Sequence, residues 1–393
     1  MIDETLVARE AAALMPNYRR LHVELVRGDG AHLFDREGRP YVDLIAGISQ
    51  MNVGHCHPAV TAAIREQAGR LVNVSNLFYT EQMVELAEWL RDRSLGGKVF
   101  FCNSGTEANE AALKLAHKVA GGGRTEVVAL FDGFHGRTYG ALSITGQPAK
   151  QEPFGPMVPG ARFVDRNDLE GLEAAVSERT AAIFLEVIQG ESGVWPLDPA
   201  FLVRARELAD HHGAILVFDE IQTGLGRTGP LFAYQGVEVV PDLMCVAKSL
   251  GAGVPIGALA AGPGLSDVFQ PGDHGSTFAG GPLACAAALA AVRVIDDPAL
   301  RRHVEAAGAR LLAGLQALVS EGVASEARGR GLMCAIDLAR PRAREAVGAL
   351  LEKGFLVNAV SERTLRFLPP LVIAETDIDR ALAAVGETAR ALA

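Results

Sequence analysis

Seven short apolar or β-branched runs, at residues 99–102, 127–131, 162–164, 181–187, 214–218, 243–247 and 256–261, alternate with longer stretches. No other feature limits the fold as strongly. Strands of that length, several of them separated by helix-sized segments, predict an α/β protein with a mostly parallel seven-stranded sheet wrapped by helices. The intervening segments carry the helical period: residues 107–119 place Ala108, Ala111, Ala112, Leu115 and Val119 on one face, and residues 199–211 form a second such stretch. The two ends read differently. Residues 21–45 suit a small β-meander, with runs at 23–26, 31–34 and 41–44 separated by glycine turns. From about residue 290 the pattern gives a long helix, a strand at 332–338, a helix at 342–353, two short strands and a terminal helix at 376–392. The expected organisation is a large domain over residues 46–288 and a smaller α+β domain over 289–393. The N-terminal segment 1–45 belongs to the smaller one.

Size and charge narrow the class. A chain of 393 residues can bury a large core without disulfide or metal staples. The formal charge of −10 argues against nucleic acid and anionic membrane surfaces, since both require basic patches. No stretch reaches the ~18 apolar residues of a membrane span, and the Ala-rich run 283–291 reads as a buried helix. Cysteines 56, 102, 245, 285 and 334 form no CxxC pair, which suits reduced thiols and a cytoplasmic location. The start, Met1-Ile2-Asp3-Glu4, is acidic and lacks a secretory apolar core.

Ligands of open α/β sheets bind outside the carboxyl ends of the strands, so the polar residues ending these runs are the first candidates. Ser104-Gly105-Thr106-Glu107 follows the 99–102 run and opens a helix. Such a turn offers free N–H groups and the positive dipole end to an anion, most often a phosphate; an ordinary helix cap would use the same residue types. Asp219-Glu220 ends the 214–218 run. A strand-end carboxylate can hold Mg²⁺ or a protonated nitrogen, but the Mg²⁺ role needs a GxxxxGK[ST] loop, which is absent. Lys248 ends the 243–247 run and precedes Gly251 and Gly253. Desolvation in a cleft would lower its pKa and favour the nucleophilic amine. An anion cradle, a carboxylate and an amine at neighbouring strand ends together suit pyridoxal 5'-phosphate. That cofactor needs a phosphate cup, an acid at its ring nitrogen and a Schiff-base lysine. The 43 glycines, roughly 11% against a usual ~7%, crowd around these positions.

The motifs Ser104-Gly105-Thr106-Glu107-Ala108-Asn109-Glu110, Phe134-His135-Gly136-Arg137-Thr138, Glu186-Val187-Ile188-Gln189-Gly190-Glu191, Asp219-Glu220-Ile221-Gln222-Thr223-Gly224 and Lys248 resemble the class III (ω-amino) aminotransferases. Gly275-Ser276-Thr277-Phe278 and Leu365-Arg366-Phe367-Leu368-Pro369-Pro370 extend the resemblance, which runs from about Tyr18 to about Ile373. It implies a fold type I pyridoxal-phosphate transferase and a set of roles. Lys248 is the Schiff-base lysine and proton carrier, and Asp219 the partner of the pyridine nitrogen. Gln222 contacts the 3-hydroxyl, and Phe134 stacks on the ring. Ser104, Gly105 and Thr106 bind the phosphate, with Thr277 arriving from the other subunit of a homodimer that shares its sites. Tyr18, Arg137, Glu191, Ser276 and Arg366 meet the substrates: Arg137 holds a carboxylate, Arg366 takes the α-carboxylate of glutamate or 2-oxoglutarate, and Glu191 masks Arg366 when the donor has none there.

Within the class, Asn17-Tyr18, Gly54-His55-Cys56-His57-Pro58 and Val74-Ser75-Asn76-Leu77-Phe78-Tyr79 resemble the branch that acts on N-acetylornithine in arginine biosynthesis. Relatives that use free ornithine tend to carry Tyr at Ile48 and Trp at His135. An apolar Ile48 offers no hydrogen bond to a free α-amino group. Ornithine, N-succinyl-diaminopimelate, 4-aminobutyrate and carrier-linked lysine stay open as donors, as do decarboxylase and aminomutase chemistry. The chain departs from the family at Gly281, where Asn is usual. Two further patterns were weighed. Gly224-Leu225-Gly226-Arg227-Thr228-Gly229 is a literal GxGxxG, but Pro230 follows where a dinucleotide site needs a helix, so a turn-rich loop is expected. His55-Cys56-His57 lacks a second ligand pair, so no metal is expected.

Overall fold

The seven strands form one sheet in the order Val99–Cys102, Gly257–Ala261, Leu243–Val246, Ile215–Asp219, Thr180–Leu185, Glu126–Leu130, Ala161–Val164. The structure is a computed structural model and describes residues 3–393; Met1 and Ile2, part of the N-terminal reading above, lie outside them. Gly257–Ala261 is the one antiparallel member, pairing that way with both of its neighbours. The remaining pairings along the sheet are parallel.

The strand centres are apolar on both sides because both faces of the sheet are covered, and polar residues such as Glu126, Thr180 and Asp219 stand at strand ends. Val128, Leu130, Ile183, Leu185, Leu216, Phe218, Met244 and Val246 enter one core. The residues between them, Val127, Ala129, Ala182, Phe184, Ile215, Val217, Leu243 and Cys245, enter another. Helix Gly105–Ala120 closes the second core with Ala108, Ala111, Ala112 and Leu115, and Pro282–Ile295 is buried in the first. Burial on this scale, at ~25 cal/mol per Å² of apolar surface, is the main force holding the layers together.

A third core joins both chain ends. Val42 and Leu44 of the meander pack with Leu311 and Leu315 of helix Pro298–Ser320, with Ile336 and Phe367, and with Ile378 and Val385 of helix Glu375–Leu392. The meander thus packs against the C-terminal layer, while helix Glu4–Ala13 buries no residue. The meander strands are Leu25–Asp29, His32–Asp35 and Pro40–Asp43, and a fourth strand from the far end of the chain, Phe355–Leu356, pairs parallel to the last of them.

Two C-terminal readings need correction. The long helix after residue 290 is the end of Pro282–Ile295 followed by a separate helix, Pro298–Ser320. Asp297 caps the second helix at Ala299 N and Pro298 occupies its first turn, where a missing N–H costs nothing. The strand Ala324–Arg330 was not anticipated, because its sequence, ASEARGR, is polar and only half-buried. It pairs with Met333–Leu338. At the departure noted above, Gly281 caps helix Pro282–Ile295 without a side chain, and a Cβ there would lie 2.5 Å from Asn73 Nδ2. The amide of Asn73 fills that space.

Candidate active site

A cavity of about 350 Å³ opens at the carboxyl ends of the strands. Its wall includes Ser104, Gly105, Thr106, Phe134, Arg137, Glu191, Asp219, Gln222 and Lys248. The sheet brings these together because each follows a strand. Asp219 is the last residue of Ile215–Asp219, Lys248 lies two residues beyond Leu243–Val246, and Ser104 two beyond Val99–Cys102.

Asp219 is buried and held by three donors. Asn109 Nδ2 (2.8 Å) and His135 Nδ1 (2.9 Å) reach its Oδ2, and the Ile221 amide reaches Oδ1 at 3.1 Å. Asn109 also donates to His135 O at 2.7 Å, which ties the Phe134–Thr138 loop to the helix. Burial disfavours the charged His135 ring, but its hydrogen bond to Asp219, the Asp219 charge and the Glu186 charge together raise its pKa. Glu186, also in the wall, accepts from Phe134 N (2.8 Å) and Gly190 N (3.2 Å). Burial first, then the Asp219 charge, push its carboxyl up to about 7 against the opposing pull of His135 and the two amides. Asn109, His135 and Glu186 stand inside motifs of the sequence, but nothing there ties them to Asp219 or to the Phe134 loop. Their partners are remote in sequence, so no spacing signal pointed to them.

Lys248 sits in the left-handed region, with φ 49°. Burial lowers its pKa, helped by the Arg366 charge and opposed by Glu191, Asp219 and Glu186. A lowered amine pKa raises the share of neutral nucleophile near neutral pH.

Arg366 lies in strand Thr364–Phe367 and is fully buried behind the cavity wall. Its Nη1 donates to Glu191 Oε1 (2.7 Å), Gly190 O (2.9 Å) and Gln222 Oε1 (3.2 Å). Gln222 Nε2 donates to the same Glu191 oxygen at 3.1 Å. Burial would raise the Glu191 pKa, but the charges of Arg366 and Lys248 and these hydrogen bonds hold it at about 2. Glu191 thus covers Arg366 as a carboxylate. Arg137 is exposed at the mouth, 5.7 Å from the Phe134 ring centroid, with Lys150 at 5.4 Å from the same ring.

Four candidates stand apart from the wall. Tyr18 is 73% exposed on the N-terminal segment. Ser276 Oγ accepts from Asn103 Nδ2 at 2.8 Å, one step behind the wall, and Thr277 is exposed on the same loop. Arg366 reaches the cavity through Glu191 and Gln222. Residues 224–229 open no helix, in keeping with the turn-rich loop expected, so the dinucleotide alternative has no structural footing. His55 pairs with Asp43 at 2.7 Å, and His57 caps helix Pro58–Ala68.

The residues present fit pyridoxal phosphate. The first-turn N–H groups of helix Gly105–Ala120 have no intrahelical acceptor and border the cavity. Space there is kept by glycine: a Cβ on Gly136, at φ 139°, would overlap Thr106 Oγ1, and one on Gly105 would lie 2.6 Å from Ile221 Cδ1. A buried carboxylate and one amine complete the set of groups the cofactor needs.

The chain is similar to known proteins along nearly its whole length. The chain is 45% identical over 382 residues to the acetylornithine aminotransferase of Caldanaerobacter subterraneus subsp. tengcongensis, covering 96% of this chain and 97% of that protein. It is 46% identical over 386 residues to the Mycobacterium tuberculosis acetylornithine aminotransferase, covering 97% and 95%. Among solved structures, the ornithine aminotransferase of Toxoplasma gondii ME49 superposes with a TM-score of 0.94 at 36% identity, covering 99% and 95%. The acetylornithine aminotransferase of Elizabethkingia anophelis gives 0.89 at 34%, covering 99% of each chain. The aminotransferase class-III pattern matches residues 13–388. The chain belongs to the class-III aminotransferases, and is a pyridoxal-phosphate-dependent transaminase of fold type I.

Proposed function

We propose that this transaminase moves the terminal amino group of N-acetylornithine to 2-oxoglutarate, yielding N-acetylglutamate 5-semialdehyde and glutamate, as a step of arginine biosynthesis in the cytoplasm. The observation that carries the reading is the Arg366–Glu191 pair at 2.7 Å behind a wall that also holds Arg137, which has no carboxylate partner among the described residues. A site with an unpaired guanidinium at its mouth and a masked one behind its wall suits two alternating substrates. N-acetylornithine carries a single carboxylate, for Arg137. 2-Oxoglutarate carries two, and the second displaces Glu191 from Arg366. A bidentate guanidinium–carboxylate pair is strong enough to make that exchange. The acetylornithine aminotransferases matched at 42–46% identity support the same substrate.

Pyridoxal phosphate, when bound, supplies the electron sink and carries the amino group between the two halves of the reaction. Lys248 holds it and moves the substrate proton. Asp219 pairs with the ring nitrogen, with Asn109 and His135 orienting the carboxylate. Gln222 faces the 3-hydroxyl, Phe134 stacks on the ring, and Ser104, Gly105 and Thr106 hold the phosphate.

The large domain starts at residue 46 and runs past 288 to the end of helix Pro282–Ile295, because Leu289, Val292 and Ile295 pack in its core, and the small domain takes the chain after that helix together with the meander. A second copy of the chain completes the site with Thr277, and Tyr18 and Ser276 meet the substrates. Leu77, Phe78, Tyr79 and Phe278 support that pairing: all are strongly exposed, Tyr79 fully, on loops where a monomer would hide them. Helix Glu4–Ala13 has no buried residue, and Leu14 and Met15 follow it exposed.

The test is a steady-state assay of N-acetylornithine with 2-oxoglutarate. Glutamate and semialdehyde should form one for one, and Lys248→Ala should abolish both along with the violet-edge absorbance of the loaded protein. No glutamate from this pair would refute the substrate assignment. Free ornithine is the second reading, favoured by the likeness to the Toxoplasma gondii ornithine aminotransferase. Ile48, which gives no hydrogen bond to a free α-amino group, weighs against it.

A further inference from the structure

The literal GxGxxG stretch contains a residue that the chemistry above leaves unused. Arg227 is completely buried, and none of its hydrogen bonds goes to a carboxylate. Burial lowers its pKa to about 9, with Asp43 too weak a counter-charge to restore it. A buried guanidinium without an ion-pair partner is costly to keep, so its contacts point to what it does.

Those contacts reach three separate stretches of chain. Nε donates to Ser49 Oγ (3.0 Å) and Nη2 to Asn52 Oδ1 (2.6 Å). Nη1 donates to Leu332 O (2.9 Å) and to Pro369 O (2.6 Å). Pro369 lies three residues beyond Arg366. Leu332 immediately precedes strand Met333–Leu338, whose Ala335 is the register partner of Arg366. On the other side, Ser49 Oγ donates to Gln222 O at 3.2 Å, and Asn52 Nδ2 to Leu225 O at 3.0 Å. Arg227 therefore ties the backbone carrying Gln222 to the backbone carrying Arg366, the two side chains that meet at Glu191.

The third stretch is strained. Ala46, Gly47, Ile48 and Ser49 have φ of 47°, 59°, 61° and 66°, a complete left-handed turn of which three residues carry a side chain. Non-glycine residues avoid this region at a cost of order 1–2 kcal/mol each, and such turns persist only where the surroundings hold them. Asp43 Oδ1 anchors the start of the turn through the Ile45 and Ala46 amides. Arg227 holds its end at Ser49, and Gln50, the next residue, lines the cavity.

We propose that Arg227 is a positioning residue for dicarboxylate recognition: it sets the spacing between Gln222 and Arg366 and fixes the left-handed turn that leads into Gln50 at the cavity wall. This rests on the assignment of Arg366 to the second carboxylate of 2-oxoglutarate. Losing the tie should misplace the Arg366 guanidinium and leave Lys248, Asp219 and Arg137 in place.

The experiment compares half-reactions of the loaded enzyme in Arg227→Lys, Ser49→Ala and Arg366→Lys. Arg227→Lys keeps the charge but supplies fewer directed donors, and Ser49→Ala removes one hydroxyl, which accepts from Arg227 Nε and donates to Gln222 O, while leaving the other three Arg227 hydrogen bonds in place. The expected result is a KM for 2-oxoglutarate and glutamate raised about 10-fold in Arg227→Lys and a few-fold in Ser49→Ala, with the N-acetylornithine half-reaction altered less than about 3-fold. A general structural defect would instead move both half-reactions together, and that outcome overturns the proposal. If Arg366→Lys raises the 2-oxoglutarate KM and neither tie variant does, the proposal alone falls. If Arg366→Lys leaves that KM unchanged, the assignment of Arg366 falls as well.

Discussion

At the scale of single residues, the site is governed by which charges are buried beside which. Glu186 has a folded-state pKa of about 7, above the 4.5 of a free glutamate. A raised pKa means that the protonated form is favoured by folding. The associated stability is complete below about pH 4.5 and is lost as pH rises through 7. Glu186→Gln should therefore raise the Tm of the cofactor-free protein at pH 8 and leave it nearly unchanged at pH 5, with a free-energy difference of a few kcal/mol at most. An equal shift at both pH values would mean that Glu186 does not titrate this way. Glu191 behaves in the opposite sense. Its depressed pKa, about 2, keeps it ionised throughout the working range, so its release from Arg366 is driven by the competing carboxylate and not by protonation. Lys248, Asp219 and the motif around Gln222 were legible in the sequence because strand ends expose them. The hydrogen bonds that give Asp219 its orientation were not, since Asn109 and Asp219 are 110 residues apart.

At the scale of elements, the helix Gly105–Ala120 shows how little side chain a phosphate cradle needs. Ser104 caps it, accepting from Glu107 N at 3.3 Å, and Gly105 occupies its first position against Ile221. A methyl group at Gly105 would meet Ile221 Cδ1 at 2.6 Å and Cγ2 at 2.9 Å, so the wall must shift. Gly105→Ala should weaken pyridoxal phosphate binding about tenfold, or ~1.4 kcal/mol, in a titration of the cofactor-free protein; unchanged affinity would place the phosphate elsewhere. The sheet strands were readable because burial on both faces makes their central residues apolar. The strand Ala324–Arg330 escaped notice because a partly exposed strand needs no apolar run, and the left-handed turn at 46–49 because nothing in its residue types except Gly47 favours that region.

At the scale of the whole molecule, the chain is two packed layers whose shared seam holds the site. The seven-stranded sheet supplies Asp219, Lys248 and the helix N-terminus, and the C-terminal layer supplies Arg366 through Thr364–Phe367. The meander residues Ala31, Val42 and Leu44 pack in that layer, while helix Glu4–Ala13 buries no residue. The exposed Leu77-Phe78-Tyr79 loop extends the argument beyond one chain. Sedimentation velocity should find a dimer, and Tyr79→Asp should yield a monomer of low activity, because Thr277 would no longer reach a neighbouring site. A fully active monomeric wild type would contradict the shared-site account.

Masking of Arg366 by Glu191 would let one cavity serve a monocarboxylate donor and a dicarboxylate acceptor. It is tested most directly by measuring kcat/KM for N-acetylornithine and for ornithine, each with 2-oxoglutarate, under identical conditions. The account predicts a preference for N-acetylornithine of at least about 10-fold, equivalent to ~1.4 kcal/mol of differential transition-state binding. Equal values, or a preference for ornithine, would contradict it.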